Sequence, residues 1–292
     1  MRNSSRARIF ALLIIWPLCV EADTSPPGFA VERFYPSPAG AGWFVLDELK
    51  MQGSLSGAIA LSLGYARRPL PPAVNEQAFS NFSASVTYNR FRFYLDLTSP
   101  LLVSGEGGTL GPSQNPDIVS DSRIGLDARI FGRAESPLRL GIGTQLIVPS
   151  GDQAAYHTDG TYRGMFRALL AGDIARLSYA AQLGFHLRPA GPERSEFLFG
   201  LGVGRRFDLC TQWALIAGPE LYGETALRSM IGHDTTGLEG LIIGRFEGTK
   251  SGPQLRLKAG VGAGLDARFG APQWRLLIAV ELFSRGPVTN LR

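Results

Sequence analysis

The chain has 292 residues, 36 of them glycine, with charged residues at 18% and a formal net charge of +4. Charged side chains make up about a quarter of an ordinary soluble domain, so this content is low. The Lys and Arg are dispersed with no basic run, which argues against a nucleic-acid partner, and loss of Arg2, Arg6, Arg8 and Glu21 with a leading signal lowers the net charge to +2.

Residues 1–22 read as a secretory signal. Arg2, Arg6 and Arg8 form its basic part, Ile9 to Ile15 most of its apolar part, and Val20-Glu21-Ala22 the cleavage site. That apolar run is too short to span a bilayer as a helix, and nothing later approaches the ~20 residues a helical span needs. Leu18 before Cys19 argues against a lipoprotein, where a small residue is expected. The mature chain then keeps Cys210, expected as a free thiol buried in a strand. Residues 23–52 form a periplasmic leader rich in Pro and Gly with aromatics at Trp43 and Phe44. It is expected either to hang below the downstream strands or to fold into the mouth they enclose.

From 53 to 283 the sequence alternates with a period of two, the signature of strands whose successive side chains point to opposite faces. Leu55, Ile59, Leu61, Leu63 and Tyr65 oppose Ser56, Ala58, Ala60 and Ser62. Phe82, Ala84, Val86 and Tyr88 come next, then a turn at Asn89-Arg90, then Phe91, Phe93, Leu95 and Leu97. In 121–151, Ile124, Leu126, Ala128 and Ile130 alternate with Arg123, Gly125, Asp127 and Arg129; the pattern resumes with Leu138, Leu140, Ile142, Leu146 and Val148. Further alternating runs lie at 162–172, 177–187, 196–204, 211–221, 255–265 and 274–283, and an apolar run of unassigned facing lies at 238–246. Runs of about ten residues suit a tilted membrane strand.

The pattern predicts an all-β, transmembrane antiparallel barrel of about twelve strands, apolar face to lipid, with residues 284–292 as a short periplasmic tail. Connections at 67–78, 98–120, 149–162, 188–194, 224–235 and 266–272 read as longer outer loops. Those at 89–90, 133–137, 173–176, 207–208 and 247–253 read as short periplasmic turns, with both termini inside. Tyr65, Tyr88, Trp213, Tyr222 and Trp274 are candidates for an interfacial aromatic girdle. A soluble β-sandwich is the competing fold, and the signal together with the glycine-rich, charged second face weighs against it.

The passages SRIGLDARIFGRAESPLRLGIGTQLIVPSGD, FRALLAGDIARLSYAAQLGFHLRP and LIAGPELYGET, with the leader FAVERFYPSPAGAGWFVLDEL, resemble the N-terminal barrel of OmpA-type outer-membrane proteins of myxobacteria-like Gram-negative bacteria. The resemblance covers most of 29–283 and implies an outer-membrane location. Such proteins usually continue into a peptidoglycan-binding domain. This chain stops nine residues after Phe283, so peptidoglycan binding is not carried over.

The inward face is the candidate site. Alternation places Arg92, Asp96, Arg123, Asp127, Arg129, Arg139, Arg167, Gln182, Glu196, Arg256, Lys258, Arg275 and Glu281 on the lumen, with Arg163, Arg206, Asp173, Glu220 and Glu239 beside them. Two readings stay open. One is a pore for small polar or anionic solutes; glycines at 141, 143, 200, 202, 204, 260, 262 and 264 favour it by removing bulk. The other is a closed lumen in a structural or assembly protein, its charges paired across strands.

A barrel hydrolase ranks a distant third. No G-x-S-x-G elbow occurs, His157, His186 and His233 are scattered, and no catalytic residue, cofactor or metal is assigned. His157 with Asp159, and the stretch Asn115, Asp117, Asp121, read as solvated loops rather than cation sites. The expected partners are outer-membrane lipids, lipopolysaccharide and the barrel-assembly machinery.

Overall fold

The computed structural model describes residues 30, 32, 34–51, 55–105, 119–152, 156–189, 195–230, 235–249, 252–266 and 270–285. The signal, His233, Asn115 and Asp117 lie outside them. Twelve strands run in chain order: β1 (Ser56–Leu70), β2 (Val74–Tyr88), β3 (Phe91–Ser104), β4 (Ser122–Phe131), β5 (Arg139–Val148), β6 (Arg163–Ile174), β7 (Leu177–Leu187), β8 (Ser195–Cys210), β9 (Trp213–Ala226), β10 (Thr236–Gly248), β11 (Gly252–Asp266) and β12 (Trp274–Arg285). Each pairs antiparallel with its sequence neighbours. β1 closes the barrel on β12, from Ala58 opposite Phe283 to Arg67 opposite Trp274. Closure leaves no sheet edge, the condition for strands to cross hydrocarbon.

The facing is inverted relative to a soluble protein. Ile59, Leu61, Phe93, Leu126, Ile142, Phe166, Leu183, Leu201, Ile242, Val261 and Ile278 are exposed around the outside, while ten Arg and Lys of the strands are buried. Such a belt is intolerable in water and natural in lipid. Ile142→Arg should therefore cost about 2–4 kcal/mol, as a cation near the bilayer midplane does. A variant whose heat-modifiable gel migration and urea unfolding match the parent would contradict this facing.

Long and short connections alternate, with two departures from the expected bounds. β1 and β2 extend so far that only 71–73 joins them, where a long loop was expected over 67–78. β8 runs to Cys210, so the turn falls at 211–212 rather than at Phe207-Asp208. The thiol of Cys210 is accordingly exposed at a strand end, not buried. In the girdle, Tyr65 packs on Trp274 at 5.1 Å and Trp213 stacks on Phe246 at 4.6 Å. Tyr222 does not belong to it. It faces inward, 4% exposed, with its ring 6.0 Å from Phe34.

The leader takes the second of its two expected places and goes beyond it: rather than hanging below the strands or stopping at the mouth, residues 34–51 thread the lumen. Ala30 N donates to Asp159 in the loop 149–162, at the long-loop end. Lys50 pairs with Asp173 beside the turn 175–176, at the short-turn end. The chain thus descends the lumen before β1 returns along the wall, and the upstream end of the described leader sits at the mouth opposite the one expected. Pro36, Pro38, Gly40 and Gly42 keep it from joining a ladder; among the described residues its one bridge is internal, Gly42 to Asp47. Gly42 has φ 92°, a left-handed backbone that calls for glycine, and a Cβ there would push aside the Arg245 guanidinium and the Glu48 carboxylate.

Candidate functional site: an occupied lumen

All thirteen residues predicted to line the lumen are buried and face inward. They surround the leader as a binding site surrounds a ligand. Glu220 on β9 accepts three backbone N–H bonds, from Phe44 at 3.1 Å and from Val45 and Leu46 at 2.8 Å each. The wall cations take the leader's carbonyls: Arg123 donates to Pro36 O at 3.2 Å, Lys258 to Trp43 O at 3.0 Å, Arg139 Nε to Glu48 O at 2.9 Å and Arg129 to Leu49 O at 3.0 Å. These bonds satisfy backbone that has no ladder of its own, as buried polar groups require.

The leader's own charges are read just as closely. Asp47 pairs with Arg92, and Glu48 takes Arg245 at 2.9 Å and Arg256 at 3.0 Å. Arg275 reaches Glu32 at 3.1 Å. Wall cations also sit over its rings: Arg245 is 5.4 Å from the Trp43 centroid, Lys258 5.2 Å from Phe44, and Arg275 4.9 Å from Phe34.

Of the remaining predicted residues, several pair within the wall instead. Arg123 lies 3.5 Å from Asp96, and Arg167 bonds Asp127 at 2.9 Å and the Tyr94 hydroxyl at 3.0 Å. Glu281 holds Arg256 at 2.6 Å, Glu196 holds Arg188 at 3.0 Å, and Gln182 is simply buried on the wall. Two of the wider inward set are only half-buried, both at the short-turn mouth: Arg206, paired with Asp208, and Asp173, paired with Lys50 and Arg139.

The inward glycines have a different use from the one expected. Gly141, Gly200, Gly202, Gly204 and Gly260 do not leave the lumen open but seat the leader, while Gly143 and Gly262 lie against atoms of the wall. A Cβ at Gly200 would lie 2.8 Å from Leu46, one at Gly202 2.9 Å from Leu46 and 3.1 Å from Trp43, one at Gly260 3.1 Å from Phe44, and one at Gly141 2.9 Å from Leu49. With Met51, Val45 and Phe34 these side chains form the barrel's main apolar cluster, against Phe79, Leu169, Leu241, Ile243 and Leu277 of the wall.

That cluster explains what the alternation missed. Arg245 and Glu247 are fully buried inward residues of β10, but Leu241 and Ile243 also face inward, to meet the leader. A strand apolar on both faces loses its period of two. Arg188 and Glu224 escape the pattern too; both lie at the long-loop end, where it fades. His157 and Asp159 are buried rather than solvated. Although burial works against ionisation, Arg188 beside Asp159 holds its carboxyl below the usual range. Asp159 is committed to arginine at 2.6 Å, and Asp121 to Arg163.

No family model and no curated sequence matches the chain. Among solved structures, the COG4313 outer membrane channel from Pseudomonas putida F1 superposes with a TM-score of 0.54 at 12% identity, covering 85% of this chain and 99% of that one. The fold is a closed twelve-stranded antiparallel barrel of the kind found in outer-membrane β-barrel proteins. OmpT of Vibrio cholerae in its trimer form (TM-score 0.34, 10% identity, 78% of this chain and 98% of that one) and the channel DcaP of Acinetobacter baumannii (0.33, 7%, 78% and 96%) are more distant.

Proposed function

We propose that this protein is an outer-membrane channel for small polar or anionic solutes, closed by its own leader and conducting when the leader moves. The observation that carries this reading is how the lumen is filled. A small barrel is filled by its wall side chains, whereas larger ones enclose a space. Here the wall is cut back with glycine and the leader fills what remains, held by side chains and by no ladder. Among the described residues the strands bury ten cations and eight carboxylates, a surplus of two that the leader's Asp47 and Glu48 balance. Displacing the leader uncovers that surplus, which favours anions.

The density of ion pairs favours a second reading, a permanently closed structural barrel. The kinship to OmpA-type barrels rests on the quoted passages alone, and we assign no catalytic residue.

A chain lacking residues 23–51, refolded and checked for heat-modifiable migration, separates the two readings in a planar bilayer. The channel reading expects discrete steps with a reversal potential on the chloride side in a KCl gradient, and a weaker chloride preference in Arg129→Gln. A folded but silent barrel would support the structural reading.

A further inference from the structure

Near the long-loop end, three inward residues on adjacent strands converge beside the leader's Tyr35. His186 on β7 stands directly opposite Glu196 on β8 in the register, and Glu224 on β9 stands opposite Leu198, two residues further along. Alternation therefore puts all three side chains on the inner face at one level. His186 and Glu196 are fully buried and Glu224 is 4% exposed. His186 Nδ1 lies 3.3 Å from Glu196 Oε2 and 3.5 Å from Glu224 Oε1, and one ligand atom from each residue lies within 4.8 Å of the others.

We infer that His186, Glu196 and Glu224 form a binding site for a divalent first-row cation of the Zn²⁺ class. Two independent features support this. The first is distance: a tetrahedral ion with bonds of about 2.0–2.1 Å sets its ligand atoms roughly 3.3–3.5 Å apart, which is the spacing found from Nδ1 to both carboxylates. The second is the imidazole itself. It is completely buried and aimed into the cluster, yet neither ring nitrogen makes a hydrogen bond. A buried polar ring left so is costly, and a metal bond would satisfy Nδ1.

Ion pairs run from this cluster through Arg188, which links Glu196 to Asp159, and through Arg163, which links Asp159 to Asp121. Arg188 holds Glu196 Oε1 and so turns Oε2 towards the site, the orienting role that outer partners play around metals. The surroundings are dry: the Tyr35 ring meets His186 edge-on at 5.4 Å and packs with Ile147, Met165 and Leu198. An ion here would pin three strands beside the leader's Tyr35. This inference does not depend on whether the barrel conducts.

The test uses the refolded chain stripped with EDTA, with ZnCl2 as the probe, metal content measured after dialysis, and thermal unfolding followed in parallel. One Zn²⁺ per barrel is expected, with a raised unfolding temperature, since a ligand of the folded state alone stabilises it. Glu224→Gln, which keeps the side chain's size, and His186→Ala should each weaken binding at least about tenfold. Asp208→Asn, at the other mouth, should change nothing. Should His186→Ala fail to fold, Glu224→Gln and the wild-type unfolding shift still decide. No retained metal, or wild-type retention in both variants, would overturn the site and leave His186 paired directly with the two carboxylates.

Discussion

Glu220→Ala is expected to release the leader from the lumen. One carboxylate accepts the N–H groups of three consecutive residues, Phe44, Val45 and Leu46, in a fully buried position. Alanine removes the acceptor and leaves three buried donors, each costing about 1–3 kcal/mol when unpaired, so the loss should reach about 3 kcal/mol or more. The donors recover water only if the segment leaves. Glu220→Gln should fall between, because its remaining carbonyl oxygen can still serve the pair from Val45 and Leu46. Protease nicking of the leader and single-channel openings should increase in the order wild type, glutamine, alanine. Wild-type protection and silence in Glu220→Ala would show that the segment is held by its apolar seats alone.

Glu48→Ala should act from the leader's side of the same interface. Glu48 is shared between Arg245 and Arg256, both fully buried. Arg256 keeps Glu247 at 2.7 Å and Glu281 at 2.6 Å, whereas Arg245 is left with Glu247 at 3.8 Å. Breaking a buried pair from one side costs about 3–5 kcal/mol, because a desolvated charge loses its counter-ion. The loss should fall mainly on Arg245, and Arg245→Met in the same chain should recover part of it, since an apolar replacement removes the stranded charge. Urea unfolding of the two single variants and the double variant measures this coupling. Additive losses would mean that Glu48 stabilises the fold through something other than Arg245.

Much of the barrel is legible in the sequence because the period of two is imposed by physics on every half-buried strand. The twelve strands, the outward Ile124, Leu126 and Ile142, and the inward Arg92, Asp127 and Arg256 all come from it. What alternation cannot carry is the identity of the third body in the lumen. Gly200, Gly202 and Gly260 read the same whether the space beside them holds water or Leu46, Trp43 and Phe44. The leader has no period to read, yet its Trp, Phe and Leu in a Pro/Gly frame are the composition of a segment that needs a wall to bury against. The turn after β8 lies later than the alternation suggests because Phe207 to Cys210 are exposed on both faces of the strand, so polar and apolar residues no longer mark one. His186 looks isolated in the sequence because its partners Glu196 and Glu224 come from two later strands, joined to it by register alone.

Whether the leader must move for solutes to pass is most directly tested by tethering it. Ala39 of the leader and Ala58 of β1 pack in one apolar cluster, and neither holds a left-handed backbone, so cysteines at both can be joined directly or by a short reducible cross-linker. The chain carrying Ala39→Cys and Ala58→Cys in a Cys210→Ser background, begun at residue 23, can be refolded and recorded in a planar bilayer, first cross-linked and then with reductant added. A mobile leader gives a silent barrel while cross-linked and discrete, chloride-preferring openings once reduced. Equal conductance in both states would place the conducting path beside a fixed leader, and silence in both would make the closed barrel the functional form.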